Sequence, residues 1–218
     1  MAEGGTAVDA AVAALVCNGL VNPKSMGIGG GFIMTVFTRA TGTVEVLNAR
    51  ETAPAFSRPD MYSANSSLSS SGALSVAVPG EVAGYWAARR RYGNPEVSWR
   101  RVLQPSIDLA ARGVPVSTTL ASAIRDKAWH DPVLAETYTD PSTGRGWEEG
   151  TNHRRPRLAE TLERLALAGE EGEELFYRGE VARQLVADLE ERGGRLSLQD
   201  MADYRPVWVP ALSVPLAR

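Results

Sequence analysis

Five residues, Gly27-Ile28-Gly29-Gly30-Gly31, constrain this chain more than any other stretch, because they join a helical pattern to a strand pattern with almost nothing between. Upstream, Val8, Val12, Leu15 and Gly19 recur at helical spacing behind the capping pair Thr6 and Asp9, so a helix is expected over residues 7–20. Asn22-Pro23 stops it. Downstream, Phe32-Ile33-Met34-Thr35-Val36-Phe37 is a β-branched and aromatic run that reads as a buried strand. Residues 43–48 are its antiparallel partner, with Thr41-Gly42 in the turn. Phosphate-binding loops put their glycines before a helix whose free amides face the anion; here a strand follows. Close backbone packing or a flexible turn is the better reading.

Beyond the hairpin, residues 57–72 are polar, serine-rich and aperiodic, and are expected as a surface loop. Residues 74–78 read as a short strand, and Pro79-Gly80 hands over to a helix over residues 81–91. A helical unit begins at residues 99–103, and Pro105 is placed to open a separate helix that Gly113 closes. Ser117 caps a helix to about Lys127, after which residues 130–155 are expected as an extended surface excursion. Helices resume at residues 156–168 and 181–192, and Ser197 caps a short one to Asp203. The apolar tail, residues 207–215, reads as a strand cut off from the rest of its sheet. Without repeats or a linker, residues 1–218 are read as a single, incomplete domain.

Composition removes several function classes. The net charge of −3, with 23 basic and 26 acidic residues intermixed, offers no field to recruit nucleic acid or an anionic membrane. Arg89-Arg90-Arg91 is read as the solvated end of a helix rather than a phosphate site. One cysteine, Cys17, excludes an internal disulfide and a multi-cysteine zinc site. The two histidines, His130 and His153, both fall in the polar excursion without an acidic helper, so neither a hydrolytic triad nor a metal site is expected. Thr6 follows a glycine pair but leads a helix, and reads as its cap.

Three blocks carry more specific information: Asn22-Pro23-Lys24-Ser25-Met26-Gly27-Ile28-Gly29-Gly30-Gly31, then Leu47-Asn48-Ala49-Arg50-Glu51-Thr52-Ala53-Pro54, then Leu74-Ser75-Val76-Ala77-Val78-Pro79-Gly80-Glu81. In this order they resemble the large subunit of the γ-glutamyltransferase (glutathione hydrolase) family, a likeness running from about Gly4 to Tyr204. The resemblance implies an α+β fold of the N-terminal-nucleophile hydrolase class, a four-layer αββα sandwich, present here only as its large-subunit portion. It also implies the chemistry. A threonine freed at a new N-terminus attacks the γ-glutamyl amide of glutathione or its conjugates, and the acyl group passes to an amino acid, a peptide or water, the last releasing L-glutamate. That threonine is expected downstream of Arg218, so no catalytic residue is assigned in this chain, and the partner implied is the small subunit of the same precursor. No organic cofactor or metal is implied.

Alone, an arginine just after a strand reads as an edge residue whose stem covers apolar surface. By resemblance, Arg50 holds the α-carboxylate of the γ-glutamyl substrate, a task suited to a planar fork of donors and poorly met by lysine. Glu51, one position on, is expected to point elsewhere if strand alternation persists. Because the family is usually anchored or exported, the outer side of the plasma membrane or secretion is expected. Asn65, in the sequon Asn65-Ser66-Ser67, is the candidate glycosylation site. Two rivals stand beside this reading: a related N-terminal-nucleophile acylase, against which the Asn-Ala-Arg-Glu block argues, and an inactive truncated relative serving as a binding or decoy subunit.

Overall fold

A computed structural model describes residues 1–127 and 131–214. Helix α1 (Ala7–Val21) starts as its sequence directs: Thr6 is the N-cap, and both arms of the capping box to Asp9 are formed. The glycine run then feeds β1 (Phe32–Thr38), which turns into β2 (Thr43–Ala49) with Phe32 opposite Ala49 and Thr38 opposite Thr43. The tail corrects its expectation. Strand β7 (Val207–Pro210) is not cut off: it pairs antiparallel with the other edge of β2, Trp208 opposite Leu47, making β2 the centre of a three-stranded sheet.

Alternation gives this sheet two unlike faces. Phe32, Met34, Leu47 and Trp208 belong to the main core, where they meet α2 (Glu81–Tyr92). The opposite face leaves Ile33 62%, Phe37 60% and Val207 53% exposed, with Val44 and Val209 beside them. Helix α2 lies unusually close to the sheet, since a Cβ on Gly84 would stand 2.5 Å from the Ala49 Cβ and 2.6 Å from the Phe32 ring. Only glycine fits there.

Residues 99–112 form one helix, α3 (Trp99–Arg112), rather than two. Pro105 removes one ladder hydrogen bond, at a cost of about 3 kcal/mol in a helix interior, but Pro105 and Arg101 both lie on the exposed side of the helix. The other side buries Trp99, Val102, Leu103, Ile107 and Ala110, and this outweighs the break. Helix α6 (Pro156–Ala168) packs across α3, and α7 (Gly172–Tyr177), which the sequence pattern did not announce, packs on α2. Helices α8 (Glu180–Glu190) and α9 (Leu198–Asp203) lead back to β7.

The excursion is a second correction. Helices α4 (Thr118–Lys127) and α5 (Pro132–Tyr138) join the two-residue strands β3 (Val114–Pro115), β4 (Thr139–Asp140), β5 (Arg145–Gly146) and β6 (Asn152–His153). Val116, Leu120, Ala121 and Ile124 make a small core of their own against Tyr138 and Trp147. His153 is 1% exposed, held between the Tyr138 and Trp147 rings, whereas His130 lies outside the described residues. Strands of two residues are too short to alternate, which is why no period betrayed them. Residues 74–78 are likewise not a strand: Ala73–Ser75 is a 3₁₀ turn, and only Val78 bridges, to Thr52.

Candidate functional site

The three sequence blocks converge. The Gly30 carbonyl accepts hydrogen bonds from the amides of both Gly80 (2.8 Å) and Glu81 (2.9 Å), tying the glycine run to the start of α2. A Cβ on Gly31 would lie 2.5 Å from the Ala49 carbonyl oxygen and 2.7 Å from Glu51 Oε2, so the run also presses against the exit of β2. Thr52 and Val78 close the triangle with reciprocal amide–carbonyl bonds of 3.3 and 2.9 Å. Gly31, and less tightly Gly30, therefore serve close backbone approach, whereas Gly27 and Gly29 have open space where a Cβ would stand.

At the centre of this knot is Arg50. Strand β2 ends at Ala49, and the Asn48 side chain turns back so that its Oδ1 accepts from the Arg50 amide at 3.0 Å. With the ladder ended, alternation no longer governs, and Glu51 comes to the same side as its neighbour. Arg50 Nη1 is 3.2 Å from Glu51 Oε2, contrary to the expectation that they would part. This contact is an ion pair rather than an aligned hydrogen bond, since Glu51 Oε2 is buried without a hydrogen-bond partner among the described residues. Glu51 is its one ionic contact among the described residues, and the Arg50 side chain remains 59% exposed. Most of a planar set of donors thus faces outward, held at one corner.

A second carboxylate stands close by. Glu81 is 2% exposed, its Oε2 accepts from the Tyr85 hydroxyl at 2.8 Å, and its Oε1 and Glu51 Oε1 flank the space where a Gly30 Cβ would be. Burial pushes the Glu81 carboxyl above its ordinary range, the Tyr85 hydroxyl and Gly27 amide draw it back, and the Glu51 charge adds to the rise. Behind the glycine run is a cavity of about 380 Å³ bounded by Leu20, Met26, Ile28 and Leu158, with Glu81 in its wall. Neither Arg50 nor Glu51 lines that cavity.

Two tyrosines complete the knot, and sequence reading missed both. Tyr204 donates to the Arg50 carbonyl at 2.9 Å, and Tyr177 donates to the Pro79 carbonyl at 2.7 Å. They lie 154 and 98 positions away from these acceptors, with no spacing signal to connect them. Asn65, by contrast, is where it was expected, exposed at the cap of a 3₁₀ turn (Ser66–Ser69), its Oδ1 accepting from the Ser67 amide at 3.1 Å. Among the described residues no group of three or more His, Cys, Asp or Glu side chains is arranged to hold a metal.

Comparison with known proteins bears on this arrangement. The family profile described as Gamma-glutamyltranspeptidase matches residues 1–218. Scoloptoxin SSD14 of Scolopendra dehaani is 43% identical over 93% of this chain, and the human glutathione hydrolase 5 proenzyme is 40% identical over 97%. The alignments take in 35% and 36% of those proteins, so the chain spans about a third of the length of these relatives. Among solved structures, the gamma-glutamyltranspeptidase from Pseudomonas nitroreducens complexed with L-DON superposes with a TM-score of 0.84 at 32% identity, covering 95% of this chain and 61% of that one. The α+β arrangement is accordingly that of the N-terminal-nucleophile hydrolases, as the resemblance implied.

Proposed function

From its membership of the gamma-glutamyltranspeptidase family, to which this chain belongs, we propose that these residues form the donor-binding side of a γ-glutamyltransferase or glutathione hydrolase. The observation that carries this reading is Arg50, whose fork is anchored by Glu51 at one corner and otherwise presented outward where three sequence blocks meet. It receives the α-carboxylate of a γ-glutamyl donor such as glutathione. The glycine knot beneath it fixes the backbone, so that orientation is settled before the substrate arrives. The N-terminal threonine nucleophile belongs to the family's small subunit, and with it the acyl transfer to amino acids, peptides or water. The glutathione hydrolase relatives favour this chemistry over the acylase and decoy alternatives.

The decisive measurement is donor kinetics in the protein completed to the length of its relatives. Arg50→Lys exchanges a two-pronged contact for a point charge, and loss of one charge-assisted bond of about 1.5–3 kcal/mol raises the donor KM roughly 10- to 100-fold. An unchanged KM refutes the carboxylate role.

Two further proposals concern what surrounds the chain. The apolar outer face of the sheet, with Ile33, Phe37, Val44, Val207 and Val209, is the surface on which the small subunit of the same precursor lays its own strands. Residues 1–218 produced alone then bind a hydrophobic dye strongly and self-associate, and the completed protein does not; equal behaviour of the two defeats the idea. Asn65 is glycosylated in a protein exposed outside the cell or secreted, a reading supported by the exposure of its sequon. Expression of the completed protein in a eukaryotic secretory host, then amidase treatment, tests this: the Asn65 peptide shifts in mass, or the assignment fails.

A further inference from the structure

The carbonyl of Arg50 lies one residue beyond the last paired position of β2, where the sheet gives it no ladder partner. Its partner comes instead from Tyr204, just past the end of α9. That phenol is not alone. It stacks on the ring of Tyr177, with centroids 5.6 Å apart and planes 11° from parallel, and both tyrosines are buried, at 6% and 2% exposure. The Tyr177 hydroxyl, for its part, donates to the Pro79 carbonyl and accepts from the Ala83 amide at 3.3 Å. One stacked pair thus grips the backbone of the arginine block with one hydroxyl and the entry to α2 with the other.

Gly80 shows how tight the grip is. A Cβ at Gly80 would collide with both the Ala49 carbonyl oxygen and the Tyr204 hydroxyl, so the arginine block, the α2 entry and the phenol share one small volume. Arg50 needs such a hold more than most residues. Its side chain is mostly in solvent, so its aim depends on the backbone at its root. The Asn48 side chain fixes the amide end of that root, and Tyr204 fixes the carbonyl end. Burial, helped by the Glu51 charge, pushes the Tyr204 phenol up to about 12, so it stays a protonated donor throughout the neutral range.

We infer that Tyr204, braced by Tyr177, is a positioning residue for the γ-glutamyl donor: it holds the Arg50 backbone so that the guanidinium meets the α-carboxylate in two-pronged register. The inference rests on the reading of Arg50 given above. Its signature differs from that of a residue serving stability alone. Loosening the root of Arg50 weakens recognition of the α-carboxylate and leaves everything else about the substrate unchanged.

The experiment uses the completed protein and two substrates, a γ-glutamyl anilide and its analogue lacking the α-carboxylate. Arg50→Ala, Tyr204→Phe and Tyr177→Phe are compared with wild type, the phenylalanines keeping the ring stack and removing one hydroxyl each. For Tyr204→Phe, KM for the carboxylated donor rises roughly three- to tenfold, the weight of one backbone hydrogen bond, while kcat stays within about twofold. The analogue shows no such rise. Tyr177→Phe gives the same pattern at smaller size and serves as the readout if Tyr204→Phe does not accumulate folded. If Arg50→Ala raises the donor KM and neither phenylalanine variant does, the positioning role is overturned and the carboxylate role stands. Equal effects of Tyr204→Phe on both substrates also overturn it, marking a structural residue. If Arg50→Ala itself leaves KM unchanged, the reading of Arg50 falls, and the inference with it.

Discussion

Arg50 and Arg89 carry the same side chain into opposite circumstances. Arg89, on α2, is 7% exposed: its Nε donates to Asp9 Oδ1 at 2.7 Å, its Nη2 donates to the Val97 carbonyl at 2.5 Å, and its guanidinium lies 4.3 Å from the centre of the Trp99 ring. Asp9 accepts also from the amides of Thr6 and Asn94. The expected solvated end of a helix is thus half wrong. Arg89 joins α1 to α2 inside the core, while only Arg90 and Arg91 reach the surface, where they pair with Glu173 and Glu45. Arg50 has a single ionic contact among the described residues and a side chain mostly in solvent. Arg89 is committed to the core by its ion pair, its carbonyl bond and its ring contact, although its Nη1 is buried without a hydrogen-bond partner among the described residues; Arg50, fixed at its root and open at its fork, leaves its donors available to a ligand.

The strongest way to break this contrast is Asp9→Ala, which strands a buried guanidinium and costs about 3–5 kcal/mol of stability, read by chemical denaturation. Any loss of activity should follow unfolding and vanish under folding conditions. If stability is unchanged, Arg89 is not structural in the sense argued. The same pair sets an acid limit. Burial raises the Asp9 carboxyl, but the hydrogen bonds from Arg89, Asn94 and Thr6 outweigh it and hold the group below its ordinary value. Its contribution is full above an unfolded value of about 3.9 and is lost as pH falls through the lower folded value, so Asp9→Asn flattens the acid limb there.

A matched exchange sharpens the comparison further. Arg89→Lys loses the fork, the ring contact and the Val97 bond, lowering stability by about 2–4 kcal/mol with donor KM unmoved where the protein remains folded. Arg50→Lys does the reverse, with stability within about 0.5 kcal/mol of wild type and the KM rise stated above. Parallel behaviour of the two variants would erase the distinction. The smallest effect is expected at His153, which packs between Tyr138 and Trp147. Burial holds its imidazole below the ordinary value against the Thr137 carbonyl contact, and the Arg155 charge lowers it further. Protonation therefore favours opening, so the segment from β3 to β6 loses protection as pH falls below about 6.5. Hydrogen exchange at the Val116 amide, bonded to the Thr151 carbonyl, reports this, and His153→Phe should remove the pH dependence.

What could be read in advance was what neighbouring residues decide between themselves. The Thr6–Asp9 cap, the hairpin from Phe32 to Ala49 and the exposed sequon at Asn65 each depend on fewer than about twenty consecutive positions, and all appear as expected. Pro105 was misread because local chemistry makes proline a helix opener, while the decision belonged to the apolar face of α3 packed against α6. His153 was misplaced for a related reason: no local pattern reveals that Tyr138 and Trp147 fold over it.

The sequence by itself determined the caps at Thr6 and Ser197, the hairpin of β1 and β2, the family likeness and the three blocks that bear the proposed chemistry. Only the tertiary structure decided that those blocks touch, that β7 returns to β2, that Glu51 turns toward Arg50, and that Tyr204 holds Arg50 from 154 positions away. The physical reason is one of range. Caps and turns are settled by hydrogen bonds within a few residues, which composition and spacing expose. Contacts across a hundred residues form only once burial of a shared core repays the entropy of closing so long a loop, and that depends on every packed element at once.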